Sequence, residues 1–200
     1  MTLDRRQALR TLALGGIGAV AAPAWAEKLA TLAREHADHA HAANAVAAET
    51  APWTPKVLDA RQNETVTILS ELIIPQTDTP GAKAAKVNEF VDWVLGDAEE
   101  RDRKEFMKGL AWMDARSQEL FGGDFVSAGP EQQAALLTIL ASPKNKALED
   151  QVGIDFFKAI KALTITGYYT SEIGLKQELG DDGQVFLAEF PGCQHPQHKA

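Results

Sequence analysis

The chain of 200 residues has a single cysteine, Cys193. One thiol excludes an intrachain disulfide and any Cys-x-x-Cys-His haem attachment. Positive charge is also scarce, with 20 Lys and Arg against 28 Asp and Glu and a net charge of −8. A phosphate backbone needs a positive field, so nucleic acid is excluded as a partner, and an anionic membrane surface is disfavoured for the same reason. Long apolar runs are missing: the stretch at 12–22 is interrupted by Gly15, Gly16 and Gly18, and a spanning helix needs about 20 mainly apolar residues. No segment of length alternates with period two between hairpin turns, which excludes a sheet protein. No G-x-S-x-G, P-loop or H-E-x-x-H occurs, so the common hydrolase, nucleotide and zinc-protease motifs are absent.

What is present begins at the N-terminus. Arg5 and Arg6 precede the weakly apolar run, and Ala24-Trp25-Ala26 closes it with a small-x-small pattern. These are the parts of a bacterial export leader, and paired arginines point to the twin-arginine route, which moves proteins already folded. Cleavage after Ala26 is expected, with an uncleaved membrane anchor as the alternative. Asp4, Ala8 and Arg10 depart from the commonest residues of that pattern. The leader holds Arg5, Arg6 and Arg10 against Asp4, so its removal takes the net charge from −8 to −10. Gly16-Ile17-Gly18-Ala19-Val20-Ala21 imitates a dinucleotide fingerprint, but no strand precedes it to form the required turn.

Residues 27–49 are Ala-rich, with Leu29, Leu32 and His36 at helical spacing. Little apolar bulk predicts a loosely docked helix or partner-binding arm. Pro52 and Pro55 break it, and the compact domain is expected from near Lys56. The division expected is therefore a leader at 1–26, an arm and proline linker at 27–55, and a helical domain with its tail at 56–200.

A 3.6-residue period then runs through Val66, Leu69 and Ile73, and through Val87, Phe90, Val91, Val94 and Leu95. A third stripe joins Phe106, Leu110 and Met113, extended by Leu120 and Phe121. Leu136, Leu137 and Leu140 follow Pro130, which suits the first turn of a helix. Leu148, Val152, Phe156, Ile160 and Leu163 complete the set. The expectation is a single compact all-α domain of about five to seven helices, with the helical pattern fading after Gly174, a turn at 180–183 and an irregular tail beyond it.

Candidate ligands are few. His36, His39 and His41 share helical spacing and are compatible with a metal, but a surface rich in Ala offers no second shell, and a solvated polar face is favoured. Cys193, His195 and His198 lie in an irregular tail, where the same reading holds. Asp97, Glu99, Glu100, Asp102 and Glu105 interleave with Arg101, Arg103 and Lys104, as on a solvated helix start. No catalytic, cofactor-binding or metal-ligating residue is assigned.

Two stretches carry more. In Glu-Leu-Ile-Ile-Pro-Gln-Thr-Asp-Thr-Pro-Gly-Ala at 71–82, an apolar helix end runs into a loop of Pro75, Thr77, Asp78, Thr79 and Pro80. Those hydroxyls and the carboxylate suit local capping. In Gly-Tyr-Tyr-Thr-Ser-Glu-Ile-Gly at 167–174, Tyr168 and Tyr169 point to different sides of a helix and Thr170 and Ser171 follow. One ring can enter the core while the other faces a partner. Packing and interface roles fit both stretches equally.

These two motifs resemble the gluconate 2-dehydrogenase subunit 3 family, with Phe106 to Leu110 and Phe156-Phe157 between them in the order the family shows. The similar region runs from about Val57 to Gly180. The resemblance implies a cofactor-free small subunit of an exported flavoprotein sugar or polyol dehydrogenase. It implies FAD and hydride chemistry in a glucose-methanol-choline type large subunit, with haem c or iron–sulfur in an electron-transfer partner such as a membrane cytochrome c. It further implies that the small subunit supplies the twin-arginine signal and escorts the folded large subunit to the periplasm, at the outer face of the inner membrane. The two motifs are then expected to lie together and shape the contact. Cys193, unpaired and bound for an oxidising compartment, is expected to bridge to the flavoprotein, with a buried inert thiol or a labile exposed one as the alternatives. The competing reading is an independent periplasmic enzyme or metal-binding protein that uses the histidines and carboxylates.

Overall fold

The computed structural model describes residues 22–43 and 53–181, of which 38–43 are described by their backbone alone. Arg5, Arg6 and Cys193 lie outside the described residues. Six α-helices are present among them, with no strand: α1 (Ala24–Ala43), α2 (Ala60–Ile73), α3 (Val87–Asp97), α4 (Glu100–Phe121), α5 (Pro130–Ala141) and α6 (Gln151–Tyr169). A 3-10 turn at Leu148–Asp150 leads into α6, and a π-helical turn at Gly174–Glu178 follows it. The all-α expectation holds.

Helix starts follow capping chemistry. At α2, Asp59 accepts from the Gln62 amide at 2.7 Å while Gln62 accepts from the Asp59 amide at 2.9 Å, a reciprocal pair that satisfies two orphan donors. Pro130 occupies the first turn of α5, where its missing N–H costs nothing. Helix α4 ends at Gly122, whose φ of 79° is left-handed, the conformation that lets the chain leave a helix sharply.

Helix α6 is the axis of the bundle and touches all five other α-helices. Its Phe156, Ile160 and Leu163 are buried, facing a core that includes Val66, Leu69, Val91, Val94, Phe106 and Met113. The Phe106 and Phe156 rings meet edge to face at 5.0 Å, and Gly109 leaves room for Phe156 that any side chain would occupy. The periodic stripes are therefore the core, with two corrections. Leu148 is 90% exposed, because it precedes α6 on the 3-10 turn, and Leu120 is 40% exposed at the end of α4.

A larger correction concerns the N-terminal arm. Helix α1 is an integral layer of the domain rather than a loosely docked arm, and packing begins well before Lys56. Leu29, Ala30, Ala33 and Ala37 are buried, because alanines let α1 approach α6 closely enough to compensate for their small area. His36 is likewise not on a solvated face. It is 6% exposed, its ring lies edge-on to Trp93 at 4.1 Å, and its Nε2 is 3.2 Å from an Asp97 carboxylate oxygen. The solvated helix start at 97–105 is also qualified: Asp102 is buried and lies 3.6 Å from the Lys28 ammonium of α1.

Candidate partner interface

One end of the bundle is built from the loop after α2 and the segment after α6. Ile74 closes α2 by donating to the Ser70 carbonyl, and its own carbonyl accepts from Ala82 at 2.9 Å. The loop between them is thereby pinched at its base. Glu71, the last turn of α2, reaches across it. Its Oε1 accepts from the Gln76 amide and its Oε2 from the Lys83 amide, each at 2.8 Å. A carboxylate held by two backbone donors is a strong clasp, because charge-assisted hydrogen bonds are roughly twice as strong as neutral ones. Gly81 lies against this carboxylate, and a Cβ there would collide with both oxygens and with the Gln76 nitrogen.

The segment after α6 is clasped in a similar way. Ser171 Oγ donates to the Tyr168 carbonyl at 2.7 Å and accepts from the Gly174 amide at 3.0 Å. Gly174 is pressed against that carbonyl, and no Cβ fits there. From Gly174 the chain widens into a π-helical turn, with the Leu179 amide donating to the Gly174 carbonyl at 3.0 Å. Such turns are rare and occur mostly as single turns.

The two segments are tied to each other. Tyr168 donates its phenol hydrogen to the Pro80 carbonyl at 2.8 Å, and Thr79 donates to Glu178 at 2.6 Å. Deeper down, Thr164 donates to Ser70 at 3.3 Å. The stretches that stood out in the sequence thus form one platform, as expected. Their residues divide by burial. Tyr168 is fully buried and belongs to the core, so it is not available to a partner. Thr77 and Asp78 are exposed at the loop tip, where Thr77 donates to Asp78 at 2.8 Å. Pro75, Thr79, Pro80, Tyr169, Thr170 and Ser171 are half-buried. Tyr169 stands perpendicular to Tyr168 at 5.2 Å, so the buried ring orients the half-buried one.

Glu71, Gly81, Gly174 and Glu178 do the positioning, and sequence reasoning assigned none of them. Glu71 and Gly81 were within the quoted motif, but only the folded loop brings a carboxylate across it. Asp92 was missed similarly. Buried on α3, it accepts from the amides of Lys56, Val57 and Leu58 at 2.8, 3.0 and 2.9 Å, and so fixes the entry to α2.

Electrostatics elsewhere are those of a supporting scaffold. Arg61 bridges Asp114 at 2.9 Å and Asp124 at 3.0 Å, and its pKa is raised chiefly by the hydrogen bond to Asp114. Hydrogen bonds from Ser127 lower the Asp124 pKa. Burial alone lowers the pKa of Lys161 on α6. No group of three or more His, Cys, Asp or Glu placed to hold a metal ion is found among the described residues, and no described helix is long and apolar enough to cross a membrane.

Fold and motif geometry define an all-α domain organised around a two-segment platform. The chain belongs to the gluconate 2-dehydrogenase subunit 3 family, whose sequence profile matches residues 60–187. The family's description places its members as subunits of a dehydrogenase complex. Neither the curated proteins nor the solved structures gave a match.

Proposed function

We propose that the chain is the non-catalytic small subunit of a periplasmic FAD-dependent sugar or alcohol dehydrogenase of the glucose-methanol-choline type. In this reading it binds and stabilises the folded large subunit and carries it through twin-arginine export. Family membership over residues 60–187 is the observation that carries the proposal. The platform supports it, since a half-buried tyrosine on a rigid base suits an interface anchor. The FAD resides in the large subunit, and haem c or iron–sulfur in a further component accepts the electrons. The leader around Arg5 and Arg6 supplies the export signal, and Cys193 bridges to the large subunit.

The test is co-expression with its genomic neighbours, followed by fractionation. A yellow, stoichiometric periplasmic complex is expected, with no flavin and no dehydrogenase activity in the purified small chain alone. Changing Arg5 and Arg6 to Lys should strand the partner's activity in the cytoplasm. A colourless metal-binding monomer, or one FAD per isolated chain, would overturn the reading.

A further inference from the structure

The first helix begins inside the pattern that marks the end of the leader. Helix α1 starts at Ala24, and the Pro23 carbonyl accepts from the amides of Ala26 at 2.9 Å and Glu27 at 3.1 Å. Trp25 packs against the core and Ala26 is 2% exposed, followed by Leu29 at 1% and Ala33 at 0%. One turn on, Lys28 binds Glu99 at 3.0 Å and lies 3.6 Å from Asp102. The Ala26–Glu27 bond therefore lies within the first turn of a docked helix, between residues that hold that helix to the bundle.

A protease reads its substrate as an extended strand, through backbone hydrogen bonds and pockets for alternate side chains. To present Ala24 and Ala26 in that form, the chain must break both bonds to Pro23 and draw Trp25 and Ala26 out of the core. A protein exported in its folded state offers this bond in its least accessible form. A cut there would also remove the Pro23 carbonyl that caps the helix. It would leave an α-ammonium in the first turn, where the helix dipole opposes positive charge.

We propose that residues 22–26 are part of the mature protein and that the leader is removed upstream of them, after Ala21. Ala19-Val20-Ala21 repeats the small-x-small pattern that such cleavage needs. Hydrolysis there adds one water across the Ala21–Ala22 amide, leaving a carboxylate on Ala21 and an amine on Ala22. The new terminus then precedes Pro23 and leaves the cap of α1 intact. The proposal rests on the export reading above.

The N-terminus of the exported complex, read by intact mass and terminal sequencing, tests it. Ala22 is expected as the first residue, and a chain that keeps its leader, or one that begins after Ala22, overturns the proposal. Trp25→Ala supplies a second readout. Its side chain lies between the two small residues, so processing after Ala26 would not sense the change. A melting temperature lowered by several degrees in the mature complex shows that Trp25 is retained, and an unchanged one overturns the idea. If the double Arg→Lys change leaves export intact, the twin-arginine reading fails while the N-terminus still decides this one. If no chain is exported, limited proteolysis of the full-length chain decides it: the Ala26–Glu27 bond is expected to resist cutting, and ready cleavage there overturns the proposal.

Discussion

Tyr168 donates to the Pro80 carbonyl at 2.8 Å across 88 residues of sequence, and this bond joins the two motifs that define the platform. The phenol ring is buried to 0% exposure, so its hydroxyl must find a protein partner or leave both groups unsatisfied. Tyr168→Phe is expected to cost about 1 kcal/mol of stability, read as a shifted midpoint in chemical denaturation. The slope of the transition should not change. A midpoint equal to wild type would mean that water replaces the bond without loss.

Two glycines should respond in opposite directions. A Cβ at Gly174 collides with the Tyr168 carbonyl, whereas at Gly96 the nearest atom is a Val57 methyl at 3.9 Å. Gly174→Ala is expected to destabilise by roughly 2 kcal/mol or more through overpacking against backbone. Gly96→Ala, within α3, should stabilise by about 0.5–1 kcal/mol through helix propensity. Thermal melts of the pair separate a local steric demand from a general intolerance of substitution.

Tyr169 is the half-buried ring of the pair. Tyr169→Ala should weaken the complex by roughly 2 kcal/mol, measured by dilution of the purified assembly. The isolated small chain should also lose some stability, because the Tyr169 ring packs against the core and Tyr168, so association is compared where both chains are folded. Association unchanged by the substitution would return the segment to a packing role.

Cys193 is expected to bridge to the large subunit in the exported complex. A heavier band on non-reducing gels should collapse with a thiol reductant and be absent from Cys193→Ser. A bridge also raises the effective concentration of the two chains, so dilution should separate the variant complex more readily than the wild type. Wild-type chains running separately without reductant, with Cys193 open to a thiol label, would dispose of the bridge.

Lys161 gives a pH-dependent expectation. Burial lowers its pKa from the ordinary 10.5, so between the two values the unfolded chain binds more protons than the folded one. Stability from this residue is then diminished below the folded pKa and recovers as pH rises towards 10.5. Lys161→Met should raise stability at neutral pH by about 0.5 kcal/mol. The difference from wild type should shrink in melts at alkaline pH, and a difference that stays constant would argue against a desolvated ammonium.

Helix positions and the core stripes were legible in the sequence because a helix writes its period into neighbouring residues. Val87, Val91, Val94 and Leu95 lie within one short segment, and all four are buried. Leu148 was misplaced because a residue just ahead of a helix extends the same period without sharing its buried face. The role of α1 was underestimated for a different reason. Counting apolar bulk undervalues alanine, which contributes little area but permits close helix contact, as Ala33 at 0% exposure does.

Cys193's solitude, the excess of acidic charge, the all-α class and the family motifs were determined by the sequence alone, since each depends on residue type, composition or local spacing. Tertiary structure alone decided that Glu71 closes the loop, that Tyr168 is buried while Tyr169 is partly exposed, and that His36 meets Trp93 and Asp97. Except for Glu71, which bridges a loop within its own motif, these outcomes depend on contacts between distant segments. Such contacts are made where backbone geometry and close packing bring groups together, and no local pattern encodes that meeting.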